Sequence, residues 1–124
     1  MSFSKFFYLF GSLFGLSAVI LDSLCAHFFK NKIPTENLQQ LNLATRYVFL
    51  HGIMLILCAV IKNSINLKII NVSGVLFVIG VLLFCGTLII KNIFQIYTLA
   101  KLAPLGGVCL ISAWLSLIIS AIWI

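Results

Sequence analysis

The chain has 124 residues, of which 63% are hydrophobic and 8% charged, with a mean hydropathy of +1.24. About a quarter of the residues of a soluble domain are charged, so a soluble globule is excluded. The net charge of +6 comes from eight Lys and Arg against only Asp22 and Glu36. These bases stand singly or in pairs between apolar runs, with no stripe to track a phosphate backbone, so nucleic acid is not an expected partner. They suit helix flanks held at lipid headgroups, and the expected partner is the lipid bilayer.

The first apolar run extends from Phe3 to Phe29, interrupted by Lys5, Asp22 and His27. No small-x-small cleavage site follows it, so it is taken as a retained membrane helix rather than a signal peptide. Lys30 to Asn42 is the one sizeable polar stretch. Within it Pro34-Thr35-Glu36 opens a second helix, with Thr35 as the expected cap and Glu36 at the positive end of the dipole. That helix runs to Ile61, and Arg46 within it must snorkel or find a partner. A polar turn from Lys62 to Lys68 precedes the uncharged run Ile69 to Ile90. Lys91 to Lys101 forms the third connection, partly helical, and Leu102 to Ile124 is a last uncharged run.

The long runs clear about 20 apolar residues, enough to cross roughly 30 Å of hydrocarbon. They are continuous rather than alternating, so helices satisfy their backbones. The expected fold is an all-α integral membrane four-helix bundle in one transmembrane domain, with helices at about 3–29, 36–61, 69–91 and 102–123. Both termini then share one side of the membrane. Lys30, Lys32, Arg46, Lys91 and Lys101 outnumber Lys5, Lys62 and Lys68, which favours loops one and three facing the cytoplasm and the termini facing away.

Counting depth at 1.5 Å per residue gathers the unusual residues in the half near loops one and three. Asp22 falls about 10 Å deep and His51 about 12 Å, with His27, Arg46, Tyr47 and Thr87 in the same half. An acid in hydrocarbon needs a partner, and His51, then Arg46, are the candidates for Asp22. Such a pair either pins the first helix to the second or forms a proton relay or ligand site. Tyr47 and His51, four apart, share a helix face.

Cys25, Cys58, Cys85 and Cys109 all lie in apolar runs without a CxxC pair, which suits small core residues better than disulfides or zinc ligands. No spacing brings three ligands to one point, so neither metal nor cofactor is expected. Ser-His-Asp order, a phosphate loop and paired carboxylates are all missing, so no enzyme is expected. Gly11-x-x-x-Gly15 and the ladder Ser112, Ser116, Ser120 are expected to allow close helix packing, within the bundle or in a homo-oligomer. Pro104 is tolerated in a first turn. Gly106-Gly107 after it permits a close crossing or a local unwinding.

Several short motifs in order resemble the YgdD/YwdK-like family of small bacterial membrane proteins of unknown function, over roughly residues 7 to 123. Cys25-Ala26-His27 stands where the family has G-A-H, and Tyr47 and His51 match its Y-x-x-x-H. Phe84-Cys85-Gly86-Thr87, preceded by Gly80, is similar to F-S-G-S. Ala103-Pro104-Leu105-Gly106-Gly107 is similar to T-P-x-G-G, and Ala113-Trp114 to G-W. The resemblance implies a four-helix protein of the bacterial inner membrane. Asp22 departs from it, where a glycine is usual, and shifts weight to His27, Tyr47 and His51; Cys25 and Cys85 depart also, which argues against a shared cysteine metal site.

The resulting expectation is a non-enzymatic membrane bundle with a structural or interaction role, alone or with another membrane protein. The alternatives are a transporter or proton- or ligand-binding protein using Asp22, His27, Arg46, Tyr47, His51 and Thr87, and a metal- or haem-binding protein. Gly11, Gly15, Gly86, Pro104, Gly106, Gly107, Ser112 and Ser116 are the expected packing residues.

Overall fold

The computed structural model describes residues 2–124. Four helices carry the fold: α1 Phe3–Ser23, α2 Thr35–Ser64, α3 Lys68–Phe94 and α4 Ala103–Ile122. Together with their terminal turns they form continuous apolar rods of 23 to 30 residues, about 35–45 Å long at 1.5 Å per residue. Each exceeds the roughly 30 Å hydrocarbon thickness.

The helix ends differ in detail from the pattern read along the sequence, and the differences have local causes. α1 finishes in a π-helical turn, Leu24–Phe28, in which the Phe29 N–H donates to the Leu24 carbonyl at 2.7 Å. The wider turn admits one extra residue and re-aims the side chains of the last turn. Cys25 is thereby buried, while His27 and Phe28 face outward. Pro34, not Thr35, is the N-cap of α2: its extended backbone starts the helix without a side-chain bond, and its carbonyl accepts from the Leu38 N–H at 3.0 Å. α2 also continues through Asn63 and Ser64, so the second connection is only Ile65–Leu67, closed by Lys62 Nζ donating to Asn66 Oδ1 at 2.7 Å. α3 stops where Gln95 turns left-handed at φ 57°, and a short 3-10 turn, Ala100–Leu102, leads into α4 with Pro104 in its first turn. α4 is unbroken through Gly106-Gly107, so these glycines serve packing and leave the helix wound.

α2 and α3 form the centre and α1 and α4 flank them. α1 packs along α2 and touches α3 only lightly; α4 packs along α3. Among the described residues α1 and α4 do not meet. This follows from where the small residues sit. A Cβ on Gly11 would come within 2.7 Å of the Gly52 carbonyl, and one on Gly52 within 3.0 Å of the Gly11 carbonyl, so the α1–α2 crossing depends on both glycines. The Phe7 ring occupies the space that a side chain at Gly74 of α3 would need. A Cβ on Gly106 would strike the backbone of Leu83 and Phe84, and one on Gly80 would meet Leu110, which fixes the α3–α4 approach. Without a hydrophobic drive between helices in lipid, such close van der Waals contact holds a membrane bundle together. A Cβ at Gly15 or Gly86 meets nothing within 4 Å, though the Gly15 amide lies 3.3 Å from a Cβ on Gly52 at the crossing, and a Cβ on Gly107 only nears Phe84 at 4.0 Å. The core between the helices is filled by Phe7, Phe14, Leu41, Leu55, Ile70 and Phe77, with Cys25, Cys58 and Cys85 buried among apolar neighbours.

Candidate functional site

His51 lies at the meeting of α2, α3 and α4 and is 3% exposed. One ring nitrogen, Nδ1, is 2.7 Å from the Tyr47 carbonyl one turn earlier, and the other, Nε2, is 3.2 Å from the indole nitrogen of Trp114 on α4. An indole N–H can only donate, so Nε2 accepts and the proton resides on Nδ1, which donates to Tyr47. Both polar atoms of the neutral ring are thus satisfied within the bundle. Aromatic rings close around it: Tyr47 at 5.6 Å, Phe77 at 5.5 Å and Trp114 at 6.0 Å between centroids. Phe77 and Trp114 meet edge to face at 5.2 Å, a favourable arrangement of ring quadrupoles. Trp114, 39% exposed, covers this cluster on the lipid side.

The pairing expected between Asp22 and His51 is therefore not formed, because the ring's two nitrogens are already engaged and Asp22 faces the other side of α2. The remaining expected polar residues also separate. The Thr87 hydroxyl donates back to the carbonyls of Leu83 at 2.6 Å and Phe84 at 3.1 Å, within its own helix. Tyr47 stacks on Phe84 at 5.2 Å. His27 is exposed on the π turn, beside Phe28, over which the Lys32 ammonium sits at 4.0 Å. Ser116 donates to the Ser112 carbonyl at 2.9 Å, half-buried on α4. Among the described residues no group of three His, Cys, Asp or Glu is close enough to hold a metal ion.

Asp22 and Arg46 do come together, on the outer surface. They line a cleft of about 620 Å³ between α1 and α2 with Ala18, Val19, Asn42, Thr45 and Phe49. Both are exposed, and they are not within 4.0 Å ion-pairing distance of each other. A second cleft of about 500 Å³ opens beyond the Gly11–Gly52 crossing, between Ser4, Lys5, Tyr8 and Ser12 of α1 and Val60 and Asn63 of α2. On α2, Asn42, Arg46, Phe49, Ile53 and Val60 fall on one face at 100° per residue, opposite the Tyr47–His51 face that meets α3. The two clefts accordingly open on the same side of the α1–α2 pair, away from α3.

Sequence reasoning missed three structural contributors. Asn92, 2% exposed, donates to Gln40 Oε1 at 3.0 Å and to the Leu88 carbonyl at 2.7 Å, tying α3 to α2 near loops one and three. The residue pair Lys91-Asn92 looks like an ordinary helix flank, so nothing in the sequence singled it out. Trp114 was legible only as part of a resemblance, and Gly52 as a lone helical glycine beside His51.

Comparison with known proteins agrees with this architecture. The family model described as "Protein of unknown function (DUF423)" matches residues 21–107. The Bacillus subtilis UPF0382 membrane protein YwdK is 31% identical over 119 residues, covering 95% of this chain and 97% of that protein. UPF0382 membrane proteins of Staphylococcus aureus and Staphylococcus haemolyticus are 34% and 33% identical over 116 residues, covering 94% of each chain. No solved structure matches. With four membrane-length helices and relatives matched along nearly their whole length, the chain is an integral membrane protein that belongs to the DUF423 family of proteins of unknown function.

Proposed function

We propose that this protein is a non-enzymatic membrane bundle that acts by lateral association in the bilayer through the outer face of α1 and α2. One observation carries the reading: His51, Thr87 and Asn92 are hydrogen-bonded within the bundle, with Asn71 Oδ1 the one buried side-chain oxygen or nitrogen left without a partner among the described residues, while the Asp22–Arg46 cleft is open to the side. The centre between α2 and α3 is occupied by Phe77 and Leu55, both fully buried. An acid at the centre of a span costs about 2.5–3.5 kcal/mol on insertion scales; Asp22, nearer the end of its helix, bears part of that cost, which favours a complement at this face.

A photo-crosslinking side chain placed at Ser12, on the α1–α2 face, is expected to give one defined protein adduct in native membranes. The same probe at Ile111, on the outer face of α4 and 63% exposed, is expected to give lipid adducts. Equal protein capture from both faces, or none from Ser12, refutes the proposal.

A further inference from the structure

We infer that the occupant of the α1–α2 face is a second copy of this chain, related by a twofold axis along the membrane normal and held by reciprocal Asp22–Arg46 pairs. The inference rests on the lateral-association reading and names its partner.

The cleft presents one carboxylate and one guanidinium, Asp22 from α1 and Arg46 from α2, at the same level of the bundle. A twofold axis along the normal keeps every residue at its own depth. It brings Asp22 of one copy to Arg46 of the other, and Arg46 of the first to Asp22 of the second. A face with one charge of each sign is in this way complementary to itself, as an isologous interface requires. An anionic lipid headgroup would engage Arg46 and leave Asp22 opposed by a like charge; a second copy neutralises both.

The rest of the face permits the approach. Tyr8, Ser12, Gly15, Val19 and Asp22 recur at alternating spacings of four and three, the pattern of a helix seam that meets another at a shallow angle. Gly15 stands at its middle, and a Cβ there meets nothing within 4 Å in a single copy. The Gly15 amide lies against Gly52 of the same chain, but the side on which a Cβ would stand is open, which leaves room for a neighbouring helix. The charges supply the partner's identity, and the small residues supply only the room.

Two differently tagged forms are co-reconstituted in vesicles of phosphatidylethanolamine and phosphatidylglycerol, and association is read by energy transfer between labels on the two forms. The wild type is expected to associate with itself. Asp22→Arg alone and Arg46→Asp alone are each expected to lose self-association by at least about tenfold, the equivalent of about 1.4 kcal/mol. Mixed together, the two variants are expected to recover it, because the two positive charges of one variant then face the two negative charges of the other. A charge pair formed within one chain, or a site for a lipid headgroup, predicts no recovery on mixing, and that result overturns the inference. Gly15→Leu is expected to keep the wild-type helicity and melting profile while abolishing self-association, which tests the same face should either charge variant fail to fold. A wild type that stays monomeric in these vesicles, yet gives a Ser12 adduct to a different protein in native membranes, overturns the second-copy inference and leaves the broader reading standing. Absence of both overturns both.

Discussion

Replacing Trp114 with Phe removes one hydrogen-bond donor and keeps an aromatic ring over His51 and Phe77. In the native bundle that donor satisfies His51 Nε2 at 3.2 Å, and His51 is 3% exposed, with its other nitrogen already committed to Tyr47. The substitution therefore leaves a buried acceptor unpaired, at a cost of about 1–3 kcal/mol in protein interiors. Side-chain hydrogen bonds between membrane helices average about 0.6 kcal/mol and reach about 1.7, because the unfolded reference in lipid also finds partners. Lost packing adds little, since lipid can fill the space left by the smaller ring at a position 39% exposed. The expected destabilisation is about 1–2 kcal/mol. His51→Phe in the Trp114→Phe background should then cost less than it does alone, giving a coupling energy of about 1.5 kcal/mol at the upper end of the membrane range. Reversible unfolding by denaturing detergent in mixed micelles, followed by far-ultraviolet circular dichroism, measures the four corners of the cycle. A coupling below about 0.3 kcal/mol, within ordinary additivity error, refutes the bond. Nitrogen-15 shifts of His51 provide an independent check: the proton belongs on Nδ1, and finding it on Nε2 would make donation from Trp114 impossible.

Gly106→Ala tests the α3–α4 approach: the added methyl meets the Leu83 and Phe84 backbone, which cannot rotate away as a side chain can. A loss of about 3 kcal/mol, at the upper end for overpacking, is expected in the same unfolding assay, against little change for Gly86→Ala, where the space is open. Equal effects at the two glycines would contradict the packing described. Asn92→Leu removes the link to Gln40 and is expected to cost about 1 kcal/mol. Hydrogen exchange should report the loss as faster opening of the α2 and α3 ends near loops one and three, and unchanged protection there would count against the link.

Much of the fold was legible from hydropathy alone. The uncharged runs Ile69 to Ile90 and Leu102 to Ile124 read as helices in lipid, since a continuous apolar run without alternation must be helical to cross a bilayer. The ends were less legible because they depend on local geometry: Pro34 starts α2 by its own backbone, and the π turn at Leu24–Phe28 carries no residue signature. The candidate site was legible as a set of unusual residues and misleading as a cluster. Counting along each helix put them all toward loops one and three. Depth says nothing of azimuth, and azimuth separates His51, facing α3 and α4, from Asp22 and Arg46, facing outward.

What the sequence by itself determined is the solvent, the number of crossings and the rarity of charge, because transfer free energy and backbone satisfaction act residue by residue along the chain. What only the tertiary structure decided is who partners whom. A side chain at Gly11 would strike Gly52 while one at Gly15 would meet open space, and His51 takes Trp114 in place of Asp22. Those choices depend on how helices rotate about their axes, and that rotation is fixed by packing among residues far apart in the sequence.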